Sequence, residues 1–384
     1  MATGWRSRMD ELQFPLNDGG AASYSSVALQ PTAGDDSMAA AAAGKPERSR
    51  SLDAFRGAVI VLMIFVDDAG GTYGGHIDHS PWDVIHLADF VMPWFLFIVG
   101  VAMVMAQRSQ NKPGTRLSLF ATNAWRCTKL FLIGLYVQGG KNLTTLRIPG
   151  ILQRIAFAQI VTAAIEIGVP ERDTRDSVGF EDQSYWRLYK RHAYRWLACL
   201  AVVVLYCGLL YGTNTGLPGC STGQTTPACN AAYYYDNELL GVNHMYRSPT
   251  YRRLPACDPC GNATRTTQPL PVDCPAWCVR PFDPEGSLAS FAAVFSLYVG
   301  AFVGHIWMAT PGEDNVNERV RQAAPLGLAL VVLGFILQFA GIPMNKNLFS
   351  LSYIFFMAGA ATLCLLIFWC VPRRGLLRDM RMPS

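Results

Sequence analysis

The chain has 384 residues, 51% hydrophobic and only 16% charged, with a mean hydropathy of +0.19 and a net charge of +4. An ordinary soluble chain is about 25% charged, so this composition argues against two or three soluble domains and is too apolar for disorder. The 34 Gly and 23 Pro show no collagen-like period, and so small a net charge is no nucleic-acid signature.

Residues 1–50 are rich in Gly, Ser and Ala, carry Asp35-Asp36 and contain no secretory apolar core. They read as a disordered cytosolic tail. Eight apolar stretches then follow, at 54–70, 84–106, 117–137, 150–168, 196–212, 287–308, 323–341 and 348–371. Each approaches the roughly 20 residues that a helix needs to cross a bilayer. The expected fold is therefore all-α, a polytopic transmembrane bundle of about eight spans over 51–371, with 372–384 as a basic cytosolic tail. Lys and Arg are distributed unevenly between the connections. One set, including both tails, holds 20, and the short loops 71–83, 138–149 and 342–347 hold 3. The positive-inside rule puts both termini in the cytosol.

The long connection 214–285 lies on the opposite, lumenal side. It holds six of the 11 Cys: Cys220, Cys229, Cys257, Cys260, Cys274 and Cys278. Disulfides in an oxidising lumen are one reading. The competing one is a zinc site begun by Cys257 and Cys260, with His244 in the same loop. Two glycosylation sequons, at Asn142 and Asn262, fall on the same side.

Ionisable residues inside apolar stretches are costly and mark candidate sites. Asp53 and Arg56 lie one turn apart, which suits either a local ion pair or an anion-facing arginine. Asp67, Asp68, His76, Asp78, His79 and Asp83 crowd the end of the first stretch and a Gly-rich loop without Lys or Arg. They suit a general base with an orienting carboxylate, a metal site, or a solvated loop. Asp89 precedes Pro93 in the second stretch and reads either as an inward polar group or as a helix N-terminal acid. Arg126 and Lys129 sit in the third stretch and His305 in the sixth. Gln153 and Arg154 fall about one turn inside the fourth, facing a polar cavity or snorkelling. Asn345, Lys346, Asn347, Ser350, Ser352 and Tyr353 give the last turn more polar groups than a turn needs.

Six segments occur in order: Ser51-Leu-Asp-Ala-Phe-Arg-Gly57, the Gly-rich run to His79-Ser-Pro-Trp82, Leu87-Ala-Asp-Phe-Val-Met-Pro-Trp-Phe95, Arg147-Ile-Pro-Gly-Ile-Leu-Gln-Arg154, Phe282-Asp-Pro-Glu-Gly286 and Pro343-Met-Asn-Lys-Asn-Leu-Phe-Ser-Leu-Ser-Tyr353. Together they resemble the heparan-alpha-glucosaminide N-acetyltransferase family, polytopic enzymes of lysosomal-type membranes, over about 48–371. The resemblance implies transfer of acetyl from cytosolic acetyl-CoA, as co-substrate, to the amino group of a terminal glucosamine or related glycan in the lumen. It implies a lysosomal or vacuolar membrane, and no metal is expected.

By the same resemblance His79 matches the catalytic histidine, and Asp67 stands where the family usually has Asn. A carboxylate beside an imidazole favours the imidazolium, as an amide does not. His79 serves either as general base or as a transient acetyl-imidazole. Arg56, Arg126 and Lys129 are the expected partners of the CoA phosphates, with Arg108, Lys112 and Arg116 nearby. Asp89, Gln153, Arg154 and Asn345 are expected to line the path of the pantetheine arm. Asp283 and Glu285 suit sugar hydroxyls or a simple Asp-Pro turn. The family continues for two more helices after the eighth. A non-catalytic membrane subunit or small-solute carrier is therefore the alternative function, and a homodimer is left open.

Overall fold

The structure is a computed structural model that describes residues 50–73, 75–109, 116–138, 142–172, 185–310 and 315–370. The expected tails 1–50 and 372–384, residue 50 aside, lie outside these residues, as does Lys112. Within 49–384 the described residues form helices and loops and no strand.

Eight long helices occupy the eight expected places. They are α1 (Arg50–Tyr73), α2 (Val91–Ser109), α3 (Arg116–Val137), α4 (Ile151–Gly168), α6 (Ala193–Gly212), α8 (Ser287–Ala309), α9 (Val316–Phe339) and α10 (Leu351–Cys370). Two shorter ones, α5 (Tyr185–Arg191) and α7 (Ala231–Leu240), lie in connections. Six of the long helices are long and apolar enough to cross a membrane, counting Leu87–Gln107 as one span. α1 and α3 fall short of that measure because charged side chains dilute their apolar runs, Asp53, Arg56, Asp67 and Asp68 in one, Arg126 and Lys129 in the other.

The helices meet through small residues, as membrane bundles require when lipid is as apolar as the interface. A methyl on Gly100 would lie 2.0 Å from the Leu297 carbonyl oxygen, and one on Gly300 would lie 2.1 Å from that of Phe97. These two glycines bring α2 and α8 into backbone contact. Gly327 and Gly359 do the same for α9 and α10, where a methyl on Gly359 would lie 2.6 Å from the Gly327 carbonyl oxygen. α8 is buried almost throughout, whereas α6 and α9 keep Leu197, Val204, Leu328 and Ile336 exposed, as a lipid-facing surface would. Pro325 sits inside α9.

The Cys-rich connection is a disulfide domain, not a zinc site. Cys220 pairs with Cys229, Cys257 with Cys278, and Cys260 with Cys274. The remaining five cysteines, in the helices, are free. The connection packs onto the loop that carries His79. Trp82, 3% exposed, donates from Nε1 to the Thr225 carbonyl at 3.0 Å and stacks edge-on against Tyr251 and Phe282. The domain also caps a helix. Asp236 of α7 accepts from the Ser287 amide at 2.8 Å and its hydroxyl at 2.6 Å, stabilising the start of α8.

Candidate functional site

His79 lies where the Gly-rich loop turns back onto the start of the second span. A short 3-10 turn, Leu87–Phe90, directs Asp89 under the loop, ten residues on from His79. Asp89 has no solvent exposure. Its Oδ1 is 2.9 Å from His79 Nδ1, and its Oδ2 accepts from the Ser80 amide at 3.3 Å and the His86 amide at 2.9 Å. The backbone of Asp89 is held in turn by Tyr353, whose hydroxyl donates to the Asp89 carbonyl at 2.6 Å.

The last turn closes over the same ring. Lys346 places Nζ 2.7 Å from His79 Nδ1, 3.2 Å from Nε2 and 3.5 Å from Asp89 Oδ1. Its side chain is 12% exposed. Burial lowers the proton affinity of the Lys346 amine below the ordinary lysine value, with Asp89 and Glu285 pulling the other way. The turn is fixed on both sides of this lysine. Asn345 donates to Asp83 at 3.2 Å and accepts from the Leu348 amide at 2.9 Å, and Asn347 donates to the Pro81 carbonyl at 3.3 Å. The outer face of the loop is pinned by Arg253, which contacts the Asp78 carboxylate and donates to the His79 carbonyl at 2.9 Å. The His79 side chain itself remains 36% exposed. The result is an imidazole with one open side, an ion pair behind it and a rigid frame.

Asp67 is not part of this arrangement. It is exposed on α1, with no hydrogen bond or ion pair among the described residues. The carboxylate at the His79 ring is that of Asp89, so the expected pairing of His79 with Asp67 is corrected. Lys346 was visible in the sequence only as one polar residue of a turn. The excess of hydrogen-bonding groups in that turn was the signal that could have found it.

A second buried network lies beside the first. Arg147 holds Asp283 through two hydrogen bonds, 2.7 Å from Nε and 2.6 Å from Nη2, and also contacts Glu285. Burial works against ionisation of Glu285, but Arg154, Arg147 and Lys346 outweigh it and hold its carboxyl below the usual value. Asp283 and Glu285 are therefore tied to arginine rather than open to a ligand. Arg154, 2% exposed, contacts the Pro284 carbonyl and lies 4.4 Å over the Phe349 ring. Beside it Gln153 has both amide atoms buried without a partner, as is Gln138 Oε1. Such groups are costly alone, so this is a buried polar cluster inside the bundle, not a snorkelling surface.

The three expected phosphate partners are not brought together. Arg56 Nη1 is 3.4 Å from Asp53 Oδ1, the local ion pair. Arg126 and Lys129 are exposed on α3, with Lys129 5.1 Å over the Trp125 ring. A cavity of about 630 Å³ opens elsewhere, at the bundle end away from the disulfide domain, and Arg116, Arg191 and Arg195 line it. Glu166, His192 and His305 lie within 4.8 Å of one another in its wall. His305 Nε2 is 2.8 Å from Glu166 Oε2, and Arg195 Nη1 lies 3.0 Å from the same oxygen and 3.2 Å from His192 Nδ1. The guanidinium supplies the positive charge that this cluster needs.

Residues 48–172, which include His79, Asp89 and Arg154, match the family model described as heparan-alpha-glucosaminide N-acetyltransferase, catalytic. The chain is 30% identical over 355 residues to the Homo sapiens heparan-alpha-glucosaminide N-acetyltransferase, covering 85% of this chain and 49% of that protein. It is 29% identical over 350 residues to the Mus musculus protein of the same name, covering 84% of this chain and 49% of that protein. The chain is related to the heparan-alpha-glucosaminide N-acetyltransferase family. It spans about half the length of these relatives. Their alignment extends well beyond the family-model match, so the resemblance is not confined to the His79 half.

Proposed function

We propose that the chain is a transmembrane N-acetyltransferase that moves acetyl from acetyl-CoA to the amino group of a terminal glucosamine or related amino sugar. The observation that carries this reading is the His79 ring, open on one side and backed by Asp89 at 2.9 Å. A buried carboxylate that accepts the Nδ1 proton leaves Nε2 free to take a proton from an attacking amine. The direct base route needs only this geometry, and it is favoured over an acetyl-imidazole. The disulfides and the exposed sequons Asn142 and Asn262 support a lumenal placement for this end of the bundle. The Lys and Arg asymmetry supports cytosolic termini, in a lysosomal or vacuolar membrane.

On this reading acetyl-CoA enters from the cytosolic end. The arginine-lined cavity there suits its phosphates better than Arg126 and Lys129 do, since Arg116 lines it without a partner among the described residues. The pantetheine arm passes between the helices toward Gln153, Arg154 and Asn345, and the thioester reaches His79. The test is transfer in sealed vesicles, with labelled acetyl-CoA outside and glucosamine trapped inside. Labelled N-acetylglucosamine inside the vesicles supports the reading. Exchange of solute without acetylation favours a carrier, and neither result with no acetyl-CoA binding favours a non-catalytic subunit.

A further inference from the structure

We infer that Lys346 is a catalytic residue, the proton donor to the thiolate that leaves the acetyl donor. This rests on the acetyl-transfer reading above. Aminolysis of a thioester has two proton problems at opposite ends of one carbon. The attacking amine must lose a proton, and the departing sulfur must gain one. His79 solves the first. Among the described residues that hold the ring, Asp89 is an acceptor and the Ser80 and His86 amides are committed to it.

Lys346 is placed for that second task. Its Nζ is within hydrogen-bonding distance of both ring nitrogens, 2.7 Å from Nδ1 and 3.2 Å from Nε2. Groups reacting at Nε2 are therefore within reach of the same ammonium. The lysine is tethered by neighbours that fix the turn, Asn345 to Asp83 and Asn347 to Pro81. Its charge faces Asp89 at 3.5 Å, so a cation is supported there without being neutralised.

The atoms balance over one turnover. The acceptor amine attacks the thioester carbon and forms the C–N bond. Its proton passes to His79 Nε2. The C–S bond breaks, the electron pair leaves on sulfur, and a Lys346 proton converts the thiolate to free thiol. The imidazolium then returns the Nε2 proton to the Lys346 amine across 3.2 Å and keeps the Nδ1 proton that Asp89 accepts. Both residues are restored, and no outside acid or oxidant is needed.

The experiment is the pH dependence of kcat for acetyl transfer from labelled acetyl-CoA to glucosamine by the purified full chain. Wild type, Lys346→Arg and Lys346→Met are compared. In the wild type kcat should fall on the alkaline side, below the ordinary lysine value of 10.5, as Lys346 loses its proton. Lys346→Arg should keep measurable activity with that fall moved to higher pH, because arginine holds its proton. Lys346→Met should lose about 100-fold or more in kcat with KM for acetyl-CoA within about threefold, and show no alkaline fall. A merely structural lysine would not move the alkaline limb. An unmoved limb in Lys346→Arg, or a Met variant with wild-type kcat, overturns the inference. Lys346→Arg decides alone if the Met variant does not fold. A wild type that transfers no acetyl at any pH refutes the acetyl-transfer reading itself, and this inference with it.

Discussion

Replacing Asp89 by Asn keeps shape and volume and removes one charge. The consequence can be worked from the contacts. Oδ1 faces His79 Nδ1, and Oδ2 faces two backbone donors, Ser80 and His86. If the amide turns its NH2 toward the backbone, two donors meet a donor, at a cost of about 1–3 kcal/mol for each unmet group. If it turns its NH2 toward His79, the backbone bonds survive. The ring must then accept at Nδ1 and carry its proton on Nε2, where a base needs a lone pair. The second arrangement costs less energy, so Asp89→Asn should fold and fail. kcat should fall about 100-fold or more, with a modest drop in melting temperature. Asp67→Asn, at an exposed carboxylate, should retain wild-type kcat. The assay is steady-state transfer from labelled acetyl-CoA with melting curves of both variants. An Asp89→Asn protein with kcat within about threefold of wild type would refute the assignment.

Other expectations follow from the frame. Gly100→Ala would force a methyl to 2.0 Å from the Leu297 carbonyl oxygen, so α2 and α8 should separate and thermal stability fall by about 1–3 kcal/mol, checked by melting in detergent. The Asp236 carboxyl is pushed up from 3.8 to about 6, first by burial, with Ser287 opposing. Because the folded form holds its proton more tightly than the unfolded chain, this stabilisation is present below pH 3.8. It is lost as pH rises through about 6. At 1.36 kcal/mol per pH unit the effect reaches about 3 kcal/mol. Asp236→Asn should flatten the melting temperature between pH 4 and 7, and an unchanged slope would count against it. Replacing both Cys257 and Cys278 by Ser should destabilise the connection by about 2–4 kcal/mol and make it sensitive to protease. In sealed vesicles, protease added outside should leave the wild-type connection intact.

Much of the fold was legible because hydropathy along a chain reports directly on burial in lipid. All eight long helices stand where apolar stretches predict them. The disulfide reading of the six Cys was legible from their number and their expected side of the membrane, but their pairing was not, since spacing does not fix connectivity. The site was legible in part. The Gly-rich loop stood out as a cluster of acids and histidines, and the family resemblance singled out His79 among them. Its partner did not, because the loop between His79 and Asp89 reverses the chain without any periodic pattern, and Asp67 was the acid nearer the preceding span. Lys346 lies 267 residues from His79, and the packing of α10 against α1 and α2 brings them together. The arginines failed for another reason. Hydropathy gives the position of a helix and not its rotation, so Arg126 and Lys129 could not be placed on an outer face.

The most direct test of the central claim is acetyl transfer from labelled acetyl-CoA to glucosamine by purified wild type and His79→Ala. The account predicts transfer by the wild type, and a loss of about 100-fold or more in the mutant with acetyl-CoA still bound. Equal transfer by both proteins would contradict it.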